Sequence, residues 1–93
     1  MLDPEDPRVR WATFGKQVED FLSSEIGDFL LGKSQREIEE ATEILKRVHP
    51  WRSKRIQQLQ NQIHVAEQFQ RWLADAITAG HASIEDLKEE HNA

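Results

Sequence analysis

Residues 45–59 read LKRVHPWRSKRIQQL. Sequence of helical period arrives at this stretch from one side and leaves it on the other, with Pro50 in the middle. A proline pushes the residue before it out of the helical region, so an incoming helix ends at Val48 or His49. A new helix opens near Trp51 or Ser53. Two helices joined by so short a connection fold back on each other as an antiparallel hairpin. The stretch is also unusual in charge. Lys46, Arg47, Arg52, Lys54 and Arg55 lie within ten positions, with no Asp or Glu among them.

Downstream, Ile56, Leu59, Ile63, Leu73 and Ile77 recur in steps of three and four with Ala66 between them, interrupted at Gln70. Phe69, Trp72 and Ala76 widen the stripe, which is the apolar face of a helix. That helix is expected over 51–79, spanning about 40 Å at a rise of about 1.5 Å per residue. Gly80 is placed to end it as a left-handed C-cap. Ser83 then caps a short fourth helix over 83–90, with Ile84 and Leu87 as its apolar points, and the tail 91–93 frays. Upstream, Ile26, Phe29, Leu30, Ile38, Ala41, Leu45 and Val48 face one side of a second helix. Ser23 and Ser24 suit its N-cap, and Glu25 and Asp28 put negative charge in its first turn, where the helix dipole favours it. Gly27 and Gly32 weaken its first half and mark a break near Gly32. A first helix runs from about Pro7 to Leu22, with Asp6 as N-cap and Pro7 at the first helical position. Its stripe is Trp11, Phe14, Val18, Phe21 and Leu22; Gly15 weakens its middle and lets another helix approach closely. Residues 1–7 form a flexible arm.

The fold expected is all-α and a single domain over 1–93. Helices one and two occupy 8–49. Helices two and three form a long hairpin, helix one packs across it, and a short C-terminal helix closes the chain.

Ninety-three residues permit one domain at most, and a chain of this size buries only about two-thirds of the surface its unfolded form exposes. Its own stability is therefore modest, and an oligomer helps. No apolar run approaches the roughly 18 residues a membrane span needs, and the acidic, proline-containing start MLDPEDPRVR does not read as a signal peptide. There is no cysteine, which removes disulfides, thiolate zinc sites and thiol catalysis and fits a cytoplasmic or intracellular product. The net charge is −5, and outside residues 46–55 the balance is −10. A generic DNA-binding domain is basic overall; this chain is acidic with one basic tip.

That tip has two readings. Lys46 and Arg47 sit where a helix C-terminus prefers positive charge and need no further reason. Arg52, Lys54 and Arg55 sit in the first turns of helix three, where the dipole disfavours them by a few tenths of a kcal/mol each. This opposition points to an external anion or an acidic partner. Trp51 either stacks on a base or closes the end of the core. Lys46, Arg47, Trp51, Arg52, Lys54 and Arg55 are thus the candidate partner-binding residues. Ile56, Leu59, Ile63, Phe69, Trp72, Leu73 and Ile77 are the candidate core or self-association stripe. The glutamine-rich row IQQLQNQIHVAEQFQ leaves the flanks of helix three polar but mostly uncharged; glutamines sit at a helix contact without the desolvation cost of ions, or serve simply as good helix formers. His64 and Glu67 form a lone His-x-x-Glu, reversed from the order used in di-iron bundles and without a second copy. No metal or cofactor is expected, and no nucleotide-binding, zinc-protease or serine-hydrolase motif is present.

The segments RWATFGKQVEDFLSSEIGDFLL, EIEEATEILKRV and IQQLQNQIHVAEQFQRWLADAI resemble a group of small, largely uncharacterised helical proteins of tailed bacteriophages, over roughly residues 8–80. The resemblance implies a phage or prophage origin and a place among head-assembly proteins, and it carries over no functional residue. The expected function is a non-enzymatic, oligomeric structural or assembly component of the virion that works through protein contacts, located in the host cytoplasm or the virion. The alternative is a small nucleic-acid-binding or host-directed regulatory or inhibitory protein, using either the basic tip or the row of glutamates Glu37, Glu39, Glu40 and Glu43 as a phosphate mimic.

Overall fold

The structure, a computed structural model, describes residues 3–92. It is all-α, with three helices in chain order: α1 (Pro7–Ser23), α2 (Glu25–Leu45) and α3 (Ser53–Asn92). No strand occurs among the described residues. α1 and α2 both pack on α3.

Each helix start follows from its residues. Asp6 caps α1: its Oδ1 accepts the Arg8 N–H at 2.9 Å, and Pro7 stands in the first turn. Met1 and Leu2 of the expected arm lie outside the described residues. Residues 3–6 are a turn, in which the Asp6 N–H donates to the Asp3 carbonyl at 3.0 Å. One residue, Ser24, separates α1 from α2 and ends one while starting the other. Its N–H donates to the Phe21 carbonyl, and its Oγ accepts the Gly27 N–H at 3.0 Å. α2 then runs unbroken through Gly32 to Leu45, so the break considered near Gly32 does not occur. It ends three residues short of Val48; residues 46–48 are turn and bend.

The C-terminal half needs a larger correction. α3 is continuous over 40 residues, roughly 60 Å of helix. Neither the C-cap expected at Gly80 nor a separate helix over 83–90 forms. Gly80 lacks the positive φ of a left-handed cap and is buried inside α3, where it meets Gly15 of α1. The glycine allows two backbones to touch, and Ser83 is buried in the same seam instead of capping. His91 and Asn92, expected to fray, are the last residues of α3; Ala93 lies outside the described residues.

Cross-contacts give the register. Gln62 donates to the Glu37 carboxylate at 2.8 Å, and Gln70 to Ser34 Oγ at 3.1 Å. Further along α3, His81 meets Glu19 and Arg8 pairs with Glu90. As numbers rise on α3 they fall on α1 and α2, so both short helices run antiparallel to the long one. α2 covers the first half of α3 and α1 the second. Instead of crossing a hairpin, α1 prolongs the line of α2 beyond the Ser24 corner.

The seam between the layers is built of small residues. Gly15, Gly27, Ser34 and Ala41 are buried on the short helices, and Ala66, Ala76, Gly80 and Ser83 on α3. Leu59, 1% exposed, is the one large side chain fully buried among the described residues. Small residues bring helix axes close and move large apolar side chains to the flanks. Of the expected stripe, Ile56, Ile63, Phe69, Leu73 and Ile77 are half-buried, while Trp72 is 64% exposed. The molecule measures 61 × 26 × 19 Å with a radius of gyration of 18.8 Å, against roughly 12 Å for a globular chain of this length.

Candidate partner-binding tip

One end of the rod is the connection between α2 and α3, and all six candidate partner-binding residues are there. Two are occupied locally. Lys46 is the C-cap of α2, and its Nζ pairs with Glu43 Oε1 at 2.8 Å. The bond from Lys46 holds the Glu43 carboxyl below its ordinary pKa. Arg47 donates from Nε to the Glu43 carbonyl at 3.3 Å, covering a backbone acceptor that the helix end leaves open.

The other four face outward. The Arg52 N–H closes a turn on the His49 carbonyl at 3.0 Å, and the Arg52 carbonyl accepts the first helical bond of α3, from Ile56. No acidic residue occupies the first turn of α3. Among the described residues, no ion pair engages Arg52, Lys54 or Arg55; Arg52 and Lys54 are exposed and Arg55 is half-buried. Trp51 is 76% exposed and does not close the core. Its indole lies flat against the His49 imidazole, with ring centres 4.3 Å apart and planes 8° apart. Together with Ser53 and Gln58, the four residues from Trp51 to Arg55 line a shallow open depression. The arrangement presents three uncompensated cations and an aromatic face around a helix N-terminus, which suits anionic groups.

The opposite end differs in sign. Asp3, Glu5, Asp6, Glu85, Asp86, Glu89 and Glu90 gather where α1 starts and α3 ends. Arg8 bridges the two elements there through Asp6 and Glu90, and its hydrogen bonds hold the Asp6 carboxyl below its ordinary pKa while raising that of the guanidinium.

His64 and Glu67 stay one turn apart on α3 and are both exposed, and among the described residues no three His, Asp or Glu side chains gather as metal ligands would. Among the described residues, no helix is long and apolar enough to cross a membrane. Gln62 and Gln70 of the glutamine row serve the α2–α3 contact itself. Sequence reasoning missed how much apolar surface stays outside: Trp11, Phe14, Ile26, Phe29 and Val65 are exposed as well as Trp72. The signal was present in the small residues at seven-residue spacing, Gly27, Ser34 and Ala41, which mark the true inner face of α2.

Comparisons with protein-family models, with curated proteins and with solved structures return no match.

Proposed function

We propose that this chain is a non-enzymatic protein that works through protein–protein contacts as an oligomeric structural or assembly component. Its working form is a helical hairpin with one arm interrupted at Ser24. The observation that supports this is the distribution of apolar side chains. The chain exposes 7290 Å², roughly 1,700 Å² more than a folded monomer of its mass, and its large aromatic residues contribute to that surface. Contiguous exposed apolar surface of this kind marks interaction sites. The resemblance to small tailed-phage proteins extends the proposal to a component of the virion.

In this reading the basic tip docks on an acidic neighbour. Replacing Arg52, Lys54 and Arg55 together with Glu is expected to leave helical content and cooperative unfolding unchanged and to abolish incorporation into assembled particles. Unchanged incorporation sinks the docking role of the tip.

The flat exposure of Trp51 beside those cations favours one second reading, a nucleic-acid contact in which the indole stacks on a base. Salt separates the two. Binding through several phosphates weakens by orders of magnitude between about 50 and 200 mM salt, whereas an apolar docking surface responds little.

A further inference from the structure

On each helix an exposed apolar residue stands one position before a residue of the small-residue seam: Phe14 before Gly15, Ile26 before Gly27, Val65 before Ala66. One position is a rotation of about 100°, in the same sense on every helix. In antiparallel helices, equal rotations from the line of contact lead to the same side of the pair. The exposed apolar residues of all three helices therefore share one side of the rod. Leu30, Val65 and Phe69 line a single groove on that side, and Trp72 continues it one heptad beyond Val65.

α3 carries a second seam there. Gln58, Asn61, Val65, Gln68 and Trp72 alternate steps of three and four without a single charge, the spacing by which a helix packs on another helix. Gln62 and Gln70 in this part of α3 already serve the α2 contact; among the described residues, the side chains of Gln58, Asn61 and Gln68 make no hydrogen bond. The charges along the rim are of both signs, with Lys33 and Arg36 beside Glu25, Asp28 and Glu37. A strongly charged partner finds no matching field on such a face, while a second copy supplies both signs in return.

We propose that this side of the rod is the interface with a second copy of the same chain, related by a two-fold axis, giving a dimer with a four-helix cross-section. The proposal rests on the reading that the chain works through protein contacts and names the partner for one surface. The excess exposure of the two chains sums to roughly 3,400 Å², within the range of obligate homodimers, about 2,000–5,000 Å². Gly32 adds a separate observation. A Cβ on Gly32 would meet only the tip of the Arg36 side chain, at 3.4 Å, whereas the other three glycines each stand against backbone. Gly32 adjoins Ile26 and Phe29 in a shallow depression at the edge of the same face.

The test uses purified protein, so only the chain itself can cover the face. Light scattering across a dilution series is expected to give the dimer mass. Single cysteines are then placed at two consecutive residues, both exposed in the isolated chain: His64→Cys and Val65→Cys. The chain has no native cysteine. The thiol at 65 is expected to react with a maleimide at least about 10-fold more slowly than the thiol at 64, since burial withholds the thiolate. Val65→Glu is expected to weaken association roughly 100-fold, because it buries a charge without a partner; if that variant fails to fold, the alkylation rates still decide. A monomer at all concentrations overturns the proposal and the self-associating part of the proposed function, leaving protein contacts with a different partner. An oligomer in which both thiols react equally overturns this choice of face.

Discussion

A Cβ placed on Gly80 would lie 2.9 Å from the Cα of Gly15, and one on Gly27 would lie 1.8 Å from the Phe21 carbonyl oxygen. Both neighbours are backbone and neither can swing aside. Gly80→Ala and Gly27→Ala are thus expected to destabilise the fold by about 1–3 kcal/mol or more, although alanine is the better helix former by about 1 kcal/mol. Gly32→Ala has the opposite sign within the single chain, up to about 1 kcal/mol of stabilisation, with weaker self-association if the second copy approaches there. Urea unfolding of the three variants reads the signs directly. Asp6 supplies a pH-dependent residue. Its carboxyl is lowered from 3.8 by the hydrogen bonds of Arg8, so its contribution is fully present above 3.8 and is lost as the pH falls through the lower folded value. Asp6→Asn keeps an N-cap oxygen but removes the charge paired with Arg8, so urea unfolding across pH is expected to show lower stability at neutral pH and a flatter acid limb.

The elements are tied at a few defined points, and the tightest is Ser24. Its side chain satisfies the Gly27 N–H and its backbone completes α1. Ser24→Ala is expected to cost about 1 kcal/mol and to loosen the corner first. Hydrogen exchange should show early loss of protection at Gly27 and Asp28, whose N–H groups bond to Ser24, with α3 unaffected. Helix starts of this kind were legible in the sequence: Asp6 with Pro7, and Ser24 with Glu25 and Asp28, are local chemistry read in a few residues. So was the turn at Pro50. The course of α3 past Gly80 was not, because a glycine after an apolar stripe means either a cap or a crossing, and only α1 lying against it decides which. Likewise Trp72 belongs to the helix's apolar half by sequence, yet the seam settles on Ala66, Ala76 and Gly80 and leaves the indole outside. The tip was legible as a charge cluster. The pairing of Lys46 with the Glu43 carboxylate, the bond of Arg47 to the Glu43 carbonyl, and the stacking of Trp51 on His49 depended on the geometry of the turn.

At the scale of the molecule, the chain is a rod 61 Å long with cations at one end and carboxylates at the other. In the functions proposed above, the ends serve polar docking and one long side serves apolar packing. Its length carries a practical consequence for weighing it in solution. A radius of gyration of 18.8 Å belongs to a compact chain of roughly 280 residues. One copy alone therefore has the girth of a globular protein about three times its mass. In X-ray scattering, or on a column calibrated with spheres, an unassociated rod counterfeits a trimer, and two rods side by side add thickness while barely adding length. Size will mislead about stoichiometry in this protein; absolute mass will not.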